Sequence, residues 1–443
     1  MLDPADCGPV FIALPQDIQA EAFDYPEVFF EKTVHQIPRP RPDKDSIAEA
    51  ADILRQAEKP LIVSGGGVFY SGAVSELTDF AEHHNIPIVE TIAGRGMMLH
   101  DHPNNAGPLG VIGSSSANAL AEEADVILAV GTRLQDFTTG SWSVFGNEKM
   151  RLISLNAARY DAHKHRALSV VGDALVGIEE LGKSLADWSG SESWTSKAGT
   201  LYAEWNRTIE EHSGKTDTVP PSYAHVVGAV NRVCDDTDLA LTASGGFPGE
   251  LCKNWKTKTV GTFDCEFGFS CMGYEIAGGW GAKMADPSRD VIVFVGDGAY
   301  LMLNSDVYSS VLTGHKMIII LCDNGGFGVI NRLQNFKGSA SFNNLLEDSK
   351  VEHLEYVDFV QHAKSMGALG EQVESISELE AAFKRAKLAD RTYLISIKVQ
   401  QHQWTPGDAW WDVGVPEVSQ RKEVRQARSE ERRVGKECRS RWS

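Results

Sequence analysis

The sequence predicts an α/β protein with two open parallel-sheet domains, and three observations carry that prediction. Apolar runs of buried-strand type recur along the chain, helical stretches separate them, and the proline-alternating connector Pro38-Arg39-Pro40-Arg41-Pro42 divides a short N-terminal segment from the bulk of the chain. Strands alternating with helices pair in parallel through right-handed crossovers, so both sheet faces are covered and each strand reads as a continuous apolar run. With 443 residues the chain is long enough for two or three cores.

In chain order, residues 8–15 (GPVFIALP) read as a strand with no earlier strand to pair with. Residues 1–42 are therefore expected to be the last strand of a domain encoded upstream of Met1, plus a linker. Residues 43–187 form the central α/β domain: a helix near 47–57, then strands at 60–64, 86–90, 124–130 and 151–156, the first closing on Gly65-Gly66-Gly67. Residues 188–218 are polar, then helical from Tyr202 to Glu211, as suits a linker and helix. Residues 219–427 form the second domain, with strands at 240–243, 291–295, 317–322 and 393–399, the first three followed by glycine-rich turns. The run from Arg428 to Ser443 lacks apolar periodicity, and its back-translation resembles a sequencing adapter. It is expected to be non-native and is set apart from fold reasoning.

Composition excludes several classes of function. A hydrophobic fraction of 42% with 23% charged residues is ordinary for a globular protein, which rules out disorder and small disulfide scaffolds. A net charge of -19 leaves no electrostatic footprint for nucleic acid or an anionic membrane. No run approaches the ~18 apolar residues of a membrane span, and the acidic start Met1-Leu2-Asp3-Pro4-Ala5-Asp6 is no secretory signal, so a soluble cytoplasmic protein is expected. Seven cysteines without a CxxC pair suit reduced thiols rather than disulfides or zinc.

The chemistry is concentrated in two turns. Gly296-Asp297-Gly298 ends one apolar strand, and Asp323-Asn324-Gly325-Gly326 ends the next after one helix. In a parallel sheet both turns lie at the carboxyl edge, where open α/β sheets bind ligands. Asp297, Asn324 and a backbone carbonyl near Gly326 are hard oxygen donors that suit Mg²⁺ with a phosphate oxygen and water completing the octahedron. Glycine N–H groups and the following helix start suit a diphosphate. GDG alone is a weak signal, and its spacing to Asn324 across a strand-helix-strand unit strengthens it.

That pairing resembles the cofactor motif of the thiamine-diphosphate enzymes, in which GDG is followed by a terminal asparagine pair; here Asp323 replaces the first asparagine. The segment 267–283 (FGFSCMGYEIAGGWGAK) resembles the glycine-rich stretch preceding GDG in that superfamily, and Ser244-Gly245-Gly246-Phe247 resembles its diphosphate loop. The resemblance implies thiamine diphosphate and Mg²⁺ as cofactors. It implies cofactor contacts from Gly245, Gly246, Phe247, Ser270, Met272, Gly296, Asp297, Gly298, Ala299, Asn324 and Gly326, with Asp297, Asn324 and Gly326 on the metal. Met272 would be the apolar wedge that bends the cofactor, and a carbonyl around Ser270 would receive its aminopyrimidine; a core methionine at a helix start is the other reading of Met272. The bend makes deprotonation of the thiazolium carbon intramolecular.

From Asp3 to about Ala427 the chain further resembles ring-opening dione hydrolases of inositol catabolism. The stretches 22–26 (AFDYP), 194–199 (WTSKAG) and 220–225 (PPSYAH) carry the likeness. This implies hydrolytic C–C cleavage of a trihydroxycyclohexane-1,2-dione to 5-deoxyglucuronate by a homo-oligomer, at least a dimer, with the cofactor between subunits. It also places the activating glutamate in a pyrimidine-binding domain expected upstream of Met1. No catalytic residue is thus assigned here, Glu250 and Glu275 merely sit near cofactor motifs, and the chain alone is expected to show little activity. Two alternatives remain: an acetolactate-synthase-like or decarboxylating lyase with the same cofactor, and a noncatalytic nucleotide-binding α/β module. Against the module, Ser64-Gly65-Gly66-Gly67 lacks GxGxxG spacing and reads as structural. Trp404, Trp410 and Trp411 suit either a segment closing over the site or, more commonly for tryptophans, core or interface packing.

Overall fold

The computed structural model describes residues 1–416 and 418–430, and two six-stranded sheets, parallel throughout, organise it. The first contains β1 (Pro60–Ser64), β2 (Ile88–Glu90), β3 (Asn105–Pro108), β4 (Val126–Val130), β5 (Arg151–Asn156) and β6 (Leu168–Val171), in the order β3-β2-β1-β4-β5-β6. The second contains β7 (Leu239–Thr242), β8 (Phe263–Cys265), β9 (Val291–Gly296), β10 (Ile318–Asp323), β11 (Leu369–Val373) and β12 (Tyr393–Lys398), in the order β11-β12-β10-β9-β7-β8. Strands β1, β4, β9 and β10 are buried almost end to end, which accounts for their unbroken apolar runs.

Helices cover both faces of each sheet. In the helix Lys44–Arg55, Asp43 caps the start by accepting the Asp45 and Ser46 N–H groups, and Ile47, Ala50, Ala51 and Leu54 fall on one helical stripe against the first sheet. The polar stretch after the first sheet is helical from Glu192 to Ser213, ten residues earlier than the sequence suggests. Trp194 and Ala198 explain the difference: both are buried in the core on one face of the first sheet, and the Trp194 indole N–H donates to the Pro60 carbonyl at 2.8 Å. Tertiary packing overrides the serine-rich composition there.

The N-terminal arm stands apart from both sheets. Residues 8–15 belong to neither sheet, and Phe11, Ile12 and Leu14 are exposed. A strand exists only through a hydrogen-bonded neighbour, and among the described residues none lies beside this segment. The proline connector is anchored: the Asp173 N–H donates to Pro40 at 2.8 Å, and Arg39 pairs with Asp173 at 3.1 Å. Of the run from Arg428, the first three residues continue a helix begun at 422; the rest, with Cys438, lies outside the described residues. Among the described residues no helix is long and apolar enough to cross a membrane.

Candidate active site

Each sheet has a switch point, where successive connections leave in opposite directions and a crevice opens at the carboxyl edge. In the first sheet it lies between β1 and β4, and protein fills it. A Cβ on Gly67 would sit 2.7 Å from the Gly131 Cα, and one on Gly65 would sit 2.4 Å from the Gly131 carbonyl oxygen. The glycines after β1 thus serve loop-against-loop packing, with the Gly67 N–H donating to the Gly131 carbonyl at 2.9 Å.

In the second sheet the switch point lies between β7 and β9, and the motif-bearing turns gather around it. Ser244, Gly245 and Gly246 follow β7 and lead into the helix Phe247–Asn254. Asp297 follows β9, and Asn324 follows β10, whose Cys322 is in register with Gly296. The parallel register thus sets the GDG turn beside the Asn324 turn. They are joined directly: the Gly326 N–H donates to Asp297 Oδ2 at 2.8 Å. Gly326 has φ +143°, and a Cβ there would meet the Asn344 carbonyl oxygen at 2.5 Å, so the position requires glycine.

The donor set suits a hard divalent cation. Asp297 is 7% exposed, and burial together with the neighbouring Asp323 pushes its carboxyl up to about 7. Asn324 is buried as well. Its Nδ2 donates to the Tyr223 hydroxyl at 2.8 Å, while its Oδ1 has no hydrogen-bond partner. An unpaired buried amide oxygen and a buried carboxylate on the neighbouring turn are each costly, and an oxygen-seeking cation would satisfy both. Asp323, standing where an asparagine was expected, accepts the Gly325 N–H at 3.0 Å and so shapes the turn, a role either residue can fill.

The matching family models resolve what this arrangement belongs to. Residues 47–181 match the central domain of thiamine pyrophosphate enzymes, and residues 244–397 match their C-terminal thiamine pyrophosphate-binding domain. The chain belongs to the thiamine pyrophosphate enzyme family. Among curated relatives it is similar to 3D-(3,5/4)-trihydroxycyclohexane-1,2-dione hydrolases. That of Geobacillus thermodenitrificans is 39% identical over 96% of this chain and 71% of its own length. Those of Clostridium tetani (37%; 96% and 71%) and Clostridium perfringens (39%; 94% and 70%) are comparable. Membership in an enzyme family leaves no support for the noncatalytic nucleotide-binding module.

Within this thiamine pyrophosphate enzyme, the sequence-predicted residues fall into two groups. Gly245, Gly246, Gly296, Asp297, Gly298, Asn324 and Gly326 lie on the turns flanking the switch point. The side chains of Phe247 and Ala299 face the core, which leaves their backbones for a ligand. Ser270 is exposed with φ +54°, in a loop where Glu266 accepts the Phe269 and Cys271 N–H groups. Met272 is half-buried just before the helix Tyr274–Ala285 and packs partly on the core.

Three features escaped sequence reasoning. Glu275, fully buried, joins two cofactor motifs by accepting the Ser244 N–H at 3.0 Å and the Gly273 N–H at 2.9 Å. Glu250, also buried, accepts the Thr405 N–H and hydroxyl at 3.0 and 2.6 Å, while Lys253 pairs with Asp408. The third is Tyr223, whose hydroxyl meets Asn324. Through Glu250 and Lys253 the segment 404–412 is strapped along the helix Phe247–Asn254, then crosses to the first sheet's unit. There the Trp411 indole donates to Asp136 at 2.7 Å, and Trp410 accepts the Ser143 hydroxyl. Trp410 and Trp411 therefore lie at an interface between the two units, while Trp404 packs on the second unit's core.

Proposed function

We propose that the chain serves the hydrolytic ring opening of 3D-(3,5/4)-trihydroxycyclohexane-1,2-dione to 5-deoxyglucuronate in myo-inositol catabolism, using thiamine diphosphate and Mg²⁺, and that it shows little activity without a pyrimidine-binding domain that brings the activating glutamate. The observation that carries this reading is the 39% identity to a hydrolase of that name along 96% of the chain, with a cation-suited turn pair at the second switch point. Asp297, the Asn324 Oδ1 and the Gly326 carbonyl would hold Mg²⁺. The N–H groups of Gly245, Gly246 and Phe247 would receive the diphosphate, and Met272 would support the thiazolium ring. The bound cofactor supplies a centre that stabilises negative charge on a former carbonyl carbon, which lets a carbon–carbon bond next to it break.

The chain's own contribution is placement. Glu275 fixes the diphosphate loop relative to the Met272 turn, and the tie from Gly326 to Asp297 fixes the metal turns relative to each other. We further infer a homo-oligomer, at least a dimer. Phe269, Leu301, Met302 and Leu303 are exposed next to the site, Phe269 by 91%, and a self-association surface accounts for them. The acidic composition, and cysteines that are all free among the described residues, support a cytoplasmic location.

The test is product analysis with Mg²⁺ and thiamine diphosphate present. With a pyrimidine-binding domain carrying the activating glutamate supplied, the cyclic dione should be converted to the linear acid and pyruvate left unchanged, whereas full turnover by the chain alone would overturn the need for that domain. Acetolactate or acetaldehyde from pyruvate would favour the lyase reading instead.

A further inference from the structure

We propose that Tyr223 is a positioning residue for the metal site: its hydroxyl oxygen holds the donor end of the Asn324 amide, so that the acceptor end is left to the cation. The inference rests on the proposed metal site and deepens it. An amide side chain has two ends of nearly equal size, and only its oxygen can ligate a cation. In the structure the Asn324 Nδ2 donates to the Tyr223 hydroxyl at 2.8 Å, and Oδ1 is buried without a partner. A residue 101 positions away in sequence thus takes the donor end, and the acceptor end stays open.

Tyr223 is itself immobilised. It is 1% exposed, its ring lies edge-on to Phe247 at 4.8 Å, and it stacks on Trp404 at 5.6 Å with 13° between planes. It opens the helix Tyr223–Val233, whose start is fixed by a reciprocal cap between Ser222 and His225. The phenol oxygen has lone pairs with which it accepts the Asn324 N–H. The diphosphate loop, through Phe247, and the C-terminal strap, through Trp404, thus both bear on the orientation of one metal ligand. The distinctive 220–225 stretch acquires a role here.

Tyr223→Phe keeps the ring packing and removes only the oxygen. Calorimetric titration of Mg²⁺, and of Mn²⁺ followed by its paramagnetic resonance signal, should be run with thiamine diphosphate present. The metal Kd should rise about tenfold, the scale of one lost buried hydrogen bond. Turnover measured against Mg²⁺ concentration, with the pyrimidine-binding domain supplied, should show a larger change in the half-saturating metal concentration than in kcat. In an Asn324→Asp background, whose carboxylate has two equivalent oxygens, Tyr223→Phe should add nothing further to the metal Kd. An unchanged Kd in Tyr223→Phe with a lowered melting temperature makes Tyr223 purely structural and overturns the inference, as does an equal effect in the Asn324→Asp background. Failure of the unaltered chain to bind metal with thiamine diphosphate overturns the site assignment itself.

Discussion

Arg95 and Glu90 form a fully buried ion pair at 2.8 Å that joins the two units of the chain. Glu90 ends β2 and also accepts the Met97 and Met98 N–H groups, at 3.0 and 2.9 Å. Arg95 reaches across to the second unit, donating to the Cys252 carbonyl at 2.8 Å and the Trp255 carbonyl at 2.6 Å. Those carbonyls lie at the end of the helix that follows the diphosphate loop, so the pair sets the first sheet against the cofactor-side helix. Removing one partner strands the other charge in the interior. Arg95→Met should cost about 3–5 kcal/mol, and the double change Arg95→Met with Glu90→Leu should cost clearly less than the single one. Denaturant unfolding monitored by tryptophan fluorescence measures both; equal losses would mean that the stranded charge is not the cause.

Glu275 makes a second such contact, within the site. Its two carboxylate oxygens serve two different backbone donors, one on each cofactor loop. Glu275→Gln offers only one acceptor atom and turns an amide N–H toward a backbone N–H. One loop should come free, at a cost of about 1–3 kcal/mol in stability, and thiamine diphosphate should bind more weakly by at least the corresponding part of that loss. Calorimetry with the cofactor and a thermal melt without it separate the two effects. Unaltered cofactor affinity would show that the two loops are held by other means.

Which strands were legible in the sequence follows a physical line. The eight strands read from apolar runs, β1, β2, β4, β5, β7, β9, β10 and β12, all pair on both sides inside the sheets. The four that escaped, β3, β6, β8 and β11, are the four sheet edges. The edge strands β3 (Asn105–Pro108) and β11 (Leu369–Val373) carry glycine, proline or charge where an interior strand carries Val or Ile. In the site, Asp297 and Asn324 were legible because both follow adjacent apolar strands, although two helices, Asp297–Met302 and Asp306–Thr313, stand where the sequence suggested one. The contacts of Asn324 with Tyr223, of Glu275 with Ser244 and of Glu250 with Thr405 were not, because partners brought together only by the tertiary fold leave no spacing to read.

His84 gives the fold a pH dependence. Its imidazole is buried at the end of the helix Val74–His83, its Nδ1 donates to the Trp188 carbonyl at 2.6 Å, and Phe80 lies against the ring at 4.5 Å. Burial lowers its pKa below the ordinary 6.5, with His83 adding to the effect against the Trp188 hydrogen bond. The unfolded chain therefore takes up a proton near pH 6.5 that the folded chain refuses. Stability should fall as pH drops through that value and level off only below the folded-state pKa. His84→Asn removes this contribution, so its urea midpoint should change less between pH 7.5 and pH 5.5 than that of the unaltered chain. Parallel pH profiles for the two proteins would count against the assignment.

The filled switch point of the first sheet leaves its glycines no room for a side chain. Gly67 and Gly131 approach so closely that a Cβ on Gly67 meets backbone rather than a side chain that could swing aside. Gly67→Ala must therefore push two strand-ending loops apart, and overpacking of this kind costs about 1–3 kcal/mol. If the glycines instead made room for a nucleotide phosphate, a methyl group would chiefly weaken that ligand. Thermal melts with ADP, NAD⁺ or FAD distinguish the cases. None should raise the melting temperature of the unaltered chain, and Gly67→Ala should melt lower with its response to Mg²⁺ and thiamine diphosphate intact, since the cofactor turns belong to the other sheet. A nucleotide-dependent rise abolished by Gly67→Ala would instead make the first crevice a ligand site, with the Gly131 loop moving aside to admit it.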